Sequence, residues 1–340
     1  MNNEKVIEKA RQFVNDRRVI DGPVNDLMMV SPLKHQFADA ILEKMMENTW
    51  SHHEVDMSED AKQFGSNMIL STERDVYTDA IAFLSNLDGI QVNNLTKNIS
   101  RFITSPEIPL AMTRQAWEEA LHVKAYSHMI ETLPGLDPIE VYNRFQTDPV
   151  LAKKNKYIMR ASNKVREEYS PHNFSLAVIS NVALEGIYFY SGFLVFYTLA
   201  RMGKMKESAK MIRFIQRDEM THLDLFVNIH EAMKRERPEL YTDEWVKEAR
   251  KILRDACKLE MTWAKHIIRH GVMGLSDAIV EGFIMDLGNK RSVTLGMGEI
   301  YPGNKNTVPW FDEFAAISKS EESFFEAKVS AYENNGALVW

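Results

Sequence analysis

Glu119-Ala-Leu-His-Val-Lys-Ala-Tyr126 and Ile215-Gln-Arg-Asp-Glu-Met-Thr-His222 decide how this chain is read, because each holds a Glu followed three residues later by a His. Nowhere else in the sequence does that spacing occur. Positions i and i+3 of a helix share a face, so each pair aims a carboxylate and an imidazole at one point. The flanking residues have helical spacing. Gln115, Glu119, His122, Tyr126 and Met129 form one stripe, and Ile212, Ile215, Glu219, His222 and Phe226 the other. The Glu and His residues therefore stand where apolar core residues are expected. Two such helices, with one further carboxylate from each of two others, are the donor set of a dinuclear metal site in a four-helix bundle.

Asp88 and Glu185 supply those further carboxylates. Asp88 follows Tyr77, Ile81 and Leu84 on the inward stripe of its helix, and Glu185 is the lone charge in a long apolar stretch, 174–200. Uncompensated burial of four acids would be costly, and cations are among the few partners that make it tolerable. Arg114, Arg213 and Arg217 are the alternative partners, but they leave two His at matched offsets without a reason. Oxygen-rich donors with one imidazole per ion suit iron or manganese better than structural zinc or copper. The pattern points to a metal-dependent redox protein.

Elsewhere the periodicity is helical almost throughout, which makes the fold class all-α. Helices are expected near 33–48, 73–95, 110–132, 137–147, 149–168, 174–203, 205–235, 242–270 and 275–290. Pro32, Pro106–Pro109, Pro134–Gly135, Pro171, Pro238 and Pro302–Gly303 read as breaks between them. Ser71-Thr-Glu73 and Thr242-Asp-Glu244 read as N-terminal caps. The 174–200 stretch is long enough to span a bilayer, yet Asn181 and Glu185 inside it favour the central helix of a large helical protein.

The 340 residues carry a net charge of −7 and no Lys/Arg-rich run, which argues against nucleic acid or an anionic membrane as partner. A single cysteine, Cys257, excludes an internal disulfide framework and fits a reducing cytoplasm. The N-terminal MNNEKVIEKARQF has charges of both signs and no apolar core, unlike a signal peptide. After a helix expected to end near Tyr332, the sequence closes on Glu-Asn-Asn-Gly-Ala-Leu-Val-Trp340, a polar spacer tipped by apolar residues that suits docking on a partner.

Tyr126, four residues beyond His122, is placed beside the expected ions, with Phe189, Phe193 and Ile215 offering an apolar surround. The bland reading is a core tyrosine whose hydroxyl bonds a metal ligand. At these residues the chain resembles the small, radical-generating subunit of class I ribonucleotide reductase. The resemblance is carried by Leu87-Asp-Gly-Ile90, Glu119-Ala-Leu-His-Val-Lys-Ala-Tyr126, Leu184-Glu-Gly-Ile-Tyr-Phe189 and Ile215-Gln-Arg-Asp-Glu-Met-Thr-His222, in that order, from about residue 25 to the C-terminus.

It implies a ferritin-like bundle with a four-helix di-metal core and added flanking helices, one domain over 1–332 with a docking tail at 333–340. It implies Asp88, Glu119 and His122 as ligands of one ion, and Glu185, Glu219 and His222 of the other. The ions are expected to be iron, with manganese as the second choice. Tyr126 becomes the radical tyrosine. Trp50, Asp218 and Tyr332 become electron-transfer residues, and Leu338–Trp340 bind the large catalytic subunit. A homodimer is implied as well. Competing readings are another di-metal carboxylate oxidase, which has no need of Trp50 or the tail, and ferritin-like metal storage, which needs about half this length.

Overall fold

The computed structural model describes residues 3–25 and 27–312. The expected all-α class holds. Twelve α-helices run through the described residues: α1 Asn3–Asn15, α2 Gln36–Glu47, α3 Ser58–Phe64, α4 Ser71–Asn94, α5 Glu107–Thr132, α6 Pro138–Thr147, α7 Pro149–Glu167, α8 Pro171–Ala183, α9 Tyr190–Arg201, α10 Lys206–Glu236, α11 Asp243–Ile268 and α12 Asp277–Thr294. Two of them, α1 and α3, were not expected from the sequence. In α1 Val6, Ala10, Phe13 and Val14 do have helical spacing, but only Val14 is buried, so this helix packs little of that face.

Pro171, which read as a break, is a helix start, as are Pro138 and Pro149. Asp137, Asp148 and Ser170 each accept backbone N–H bonds in the turn they begin, and Pro138, Pro149 and Pro171 follow them as first helical residues. Proline fits there because the first-turn N–H has no partner in the helix and φ is already set. For the same reason Pro109 lies within the first turn of α5, which starts at Glu107 rather than at 110. Thr242 caps α11 as expected, its hydroxyl accepting from Trp245 N at 3.3 Å. Ser71 does not cap α4. The cap position is Leu70, whose N–H is taken by Glu73 Oε2 at 2.9 Å.

The apolar stretch is the core of the molecule, and every residue of its most apolar window is buried inside the protein. It is not one helix over 174–203. A π-turn at Leu184–Tyr188 separates α8 from α9. Around this axis α4, α5 and α10 complete the four ligand-bearing rods; α4 packs along α5, and α10 along α8 and α9. On the outside, α11 covers α8 and α12 covers α11.

One buried junction ties the N-terminal segment to two of the core helices. His35 Nδ1 lies 3.2 Å from Glu107 Oε1 at the start of α5, and Nε2 lies 2.7 Å from Glu236 Oε1 at the end of α10. Burial would lower the His35 pKa, but the bonds and charges of the two carboxylates outweigh it and raise the group above its ordinary 6.5. Burial likewise opposes ionisation of Glu107, yet His35 holds it down at about 2, against an ordinary 4.5. The His35 contribution is full below pH 6.5 and fades as pH rises through the raised value. The Glu107 contribution is full above pH 4.5 and fades as pH falls towards about 2. We expect His35→Gln to cost about 1–3 kcal/mol near pH 6. The gap from the parent should narrow in alkaline buffer, as read by denaturant unfolding. A gap that does not change with pH would show that His35 acts without its charge.

Candidate metal centre

Asp88 comes from α4, Glu119 and His122 from α5, Glu185 from the π-turn, and Glu219 and His222 from α10. All six side chains are fully buried. They converge in two groups whose donor atoms lie within 4.8 Å of one another: Asp88, Glu119, His122 and Glu219, and then Glu119, Glu185, Glu219 and His222. Glu119 and Glu219 belong to both. The sequence reading divided the six residues three and three, whereas the geometry makes these two carboxylates shared.

Both imidazoles turn Nδ1 inward. His122 Nδ1 is 3.1 Å from Glu219 Oε1 and 3.6 Å from Glu119 Oε2. His222 Nδ1 is 3.0 Å from Glu219 Oε2 and 3.2 Å from Glu119 Oε1. Donors about 2.1 Å from an ion lie about 3 Å from adjacent donors and about 4.2 Å from opposite ones, so these spacings suit two cations.

The buried polar atoms agree. Among the described residues, Asp88 Oδ1 and Oδ2, Glu119 Oε2, His122 Nδ1, Glu185 Oε2 and Glu219 Oε1 have no hydrogen-bond partner. Buried donors and acceptors left this way are rare unless something else satisfies them. Burial and the neighbouring acids push the Asp88 and Glu185 carboxyls well above the usual range. Burial also opposes ionisation of Glu119, but His222 and His122 outweigh it and hold that group at about 2. Two divalent ions would balance the four carboxylates and displace protons from this cluster.

Two of the arginines offered as alternative partners, Arg114 and Arg217, reach acids outside the six. Arg114 Nε lies 3.1 Å from Glu118 Oε1, and Arg217 Nε 3.6 Å from Asp218 Oδ1. Those two acids form an outer layer. His122 Nε2 is 3.2 Å from Asp218 Oδ2, and His222 Nε2 is 2.9 Å from Glu118 Oε2. A carboxylate on the far nitrogen fixes the ring and its tautomer, as is common for metal-binding histidines.

The bonding is crossed, since α10 supplies the partner for the α5 histidine and α5 the partner for the α10 histidine. Glu118 was missed in the sequence, although an acid immediately before each Glu-x-x-His was there to be seen. Gln91 and Gln115 were also missed in this role. Gln115 Nε2 donates to Glu185 Oε1 at 2.7 Å, and Gln91 Nε2 donates to the same oxygen. Gln91 Nε2 further reaches Asn181 Oδ1 at 3.3 Å, which accounts for the amide inside the apolar helix.

Trp50 is buried. Its Nε1 donates to Asp218 Oδ2 at 2.6 Å, and its ring lies close to parallel with His122, with centroids 6.2 Å apart. Tyr126 is fully buried and its hydroxyl has no hydrogen-bond partner among the described residues, so it makes no bond to any of the six acids and imidazoles, as the bland reading had suggested it would. Burial and then the charge of Asp88 push its pKa well up, which keeps the phenol protonated at neutral pH. Phe189, Phe193 and Ile215 are fully buried, the two rings stacked at 5.8 Å. Tyr332 and Leu338–Trp340 lie outside the described residues.

Residues 28–309 match the family described as ribonucleotide reductase, small chain. The chain is 33% identical over 330 residues to the ribonucleoside-diphosphate reductase subunit beta of Treponema pallidum, covering 96% of this chain and 93% of that protein. It superposes on the ribonucleotide reductase R2 subunit from Clostridium botulinum with a TM-score of 0.83 and 35% identity, over 88% of this chain and 94% of that one. A putative class I ribonucleotide reductase from Bacillus halodurans gives a TM-score of 0.78 at 32% identity, over 82% and 99%. Over nearly its whole length, then, this chain is a member of the ribonucleotide reductase small-chain family, the radical-generating, di-metal subunit of an oxidoreductase that works with a large-subunit partner.

Proposed function

We propose that Asp88, Glu119, His122, Glu185, Glu219 and His222 hold the two ions, and that Tyr126 stores the oxidising equivalent passed to the large subunit. The observation carrying this reading is the pair of donor groups sharing Glu119 and Glu219. Bound there, redox-active ions supply the oxidising power that reduction of oxygen makes available. The protein holds, orients and insulates. Tyr126, protonated and out of contact with water, can lose an electron and a proton together, and its apolar surround keeps reductants away.

Trp50, Asp218 and His122 form a hydrogen-bonded line outward from the centre. We assign Trp50 as the exit residue and Tyr332 as the next carrier, immediately before a tail, 333–340, that docks on the large subunit. Residues 1–332 form the body. The donor set suits iron or manganese, and we take iron as the resident ion. A homodimer in the cytoplasm completes the reading.

Loading the metal-free full-length chain with Fe(II) and oxygen should give a tyrosyl signal by electron paramagnetic resonance. Full metal binding with no radical, under iron and manganese alike, would overturn the assignment of Tyr126. Removing residues 333–340 should leave metal and radical unchanged and weaken binding to the large subunit at least tenfold, ~1.4 kcal/mol. Unaltered affinity in a pull-down titration would refute the tail assignment.

A further inference from the structure

Glu185 differs from the other ligands in the backbone that carries it. The π-turn at Leu184–Tyr188 inserts a residue into the helical ladder and displaces the hydrogen bonds around it. Two charged side chains from the covering helices reach that stretch. Arg291 of α12 donates from Nε to Gly186 O at 3.0 Å and from Nη2 to the Tyr190 hydroxyl at 3.1 Å. Only glycine admits it, since a Cβ at position 186 would lie 2.6 Å from Arg291 Nε.

From the other side, Glu260 of α11 accepts from Ser191 N at 3.3 Å and from the Ser191 hydroxyl. The second oxygen of Glu260 takes Lys154 Nζ of α7, whose ammonium sits 3.4 Å above the Phe83 ring.

Lys154 and Glu260 are both buried. Burial pulls the lysine down to about 8 and pushes the glutamate up, so the pair stands against a real desolvation cost. Apolar side chains of similar size would fill this space with equal or better stability. What the ion pair adds is an anchored acceptor for the backbone just past the π-turn. Return of that segment to ordinary α geometry would rotate one flank against the other by one residue, about 100°. Glu185 would then no longer face Glu119 and Glu219.

We propose that Glu260, anchored by Lys154, and Arg291 are positioning residues that clamp the π-turn and so set where the Glu185 carboxylate stands in the metal centre. The proposal rests on Glu185 being a ligand, and its test separates the two. Mn(II) binding to metal-free full-length protein, read from the resonance of the free aqueous ion, should resolve two affinities. Lys154→Met with Glu260→Leu should keep the melting temperature of the metal-free chain, while weakening one affinity roughly 10–100-fold, the range for lost support behind a ligand.

Lys154→Met with Glu260→Gln keeps an oxygen for Ser191 and should recover most of that loss. Arg291→Met, at a half-buried position, should weaken the same site even where the buried pair cannot be replaced without unfolding. The clamp is wrong if Glu185→Ala removes one site while the leucine double variant and Arg291→Met leave both intact, or if glutamine rescues nothing. If Glu185→Ala itself still binds two ions as tightly as the parent, the ligand assignment fails and the clamp falls with it.

Discussion

Glu219→Ala is expected to strip the protein of most of its metal, at both positions together. Its two oxygens face different imidazoles, Oε1 towards His122 at 3.1 Å and Oε2 towards His222 at 3.0 Å, and it belongs to both donor groups. If Glu219 holds both ions as proposed, truncating it would take a donor from each. Loss of an outer partner such as Glu118 costs about 10–100-fold in affinity, so loss of a shared ligand should exceed the top of that range. Asp88→Ala should weaken one site far more than the other, because Asp88 occurs in one group alone.

The stability response should be larger with metal than without. In the metal-free chain alanine at 219 relieves repulsion on the Asp88 and Glu185 carboxyls but also takes a partner from His122 and His222, so the two effects oppose each other. In the loaded protein the variant loses the stabilisation that tight binding confers, about 4 kcal/mol at a thousand times the dissociation constant. Metal analysis and paired melting curves check both. Two ions retained per chain would remove Glu219 from the centre.

What the sequence made legible is what depends on spacing along one helix. The two Glu-x-x-His pairs, the lone Glu185 and the stripe ending in Asp88 each required only that a helix be a helix, and the six side chains do converge. What it concealed depends on how rods cross. That Glu119 and Glu219 are shared follows from side-chain orientation at the meeting of α5 and α10, which no single periodicity encodes.

The π-turn was hidden for a related reason. An unbroken run of apolar residues around Glu185 looks regular, and the groups that hold it irregular, Glu260 and Arg291, lie 75 and 106 positions further along the chain. The helix ends missed at α4 and α5 are the usual ambiguity of a first turn, where proline and a capping side chain can sit one or two residues either way. Trp50 illustrates the opposite limit. Its local spacing does not tie it to the donor stripes, and its bond to Asp218, 168 residues away, is what joins it to the centre.

Tyr126→Phe should abolish the radical and bring turnover with the large subunit to background, while leaving metal and fold as they were. The substitution removes one oxygen from a fully buried ring, and that oxygen bonds to no side chain or backbone group among the described residues. No hydrogen bond is lost, so the change in stability should stay within about 0.5 kcal/mol. Phenylalanine has no O–H to give up, so one-electron oxidation at this position loses its neutral product.

Tyr197 is the informative control. It is equally buried and equally close-packed, but its hydroxyl donates to Gln216 Oε1. Tyr197→Phe should therefore cost about 1 kcal/mol of stability and keep the radical. The two variants should differ in opposite directions, one in chemistry and the other in folding. If Tyr126→Phe retained the signal, or if Tyr197→Phe lost it, the stored equivalent would reside on a different ring and the role of Tyr126 would have to be given up. A buried tyrosine whose hydroxyl bonds no described residue contributes little to holding the fold that phenylalanine would not, so its hydroxyl is best accounted for by what it can lose.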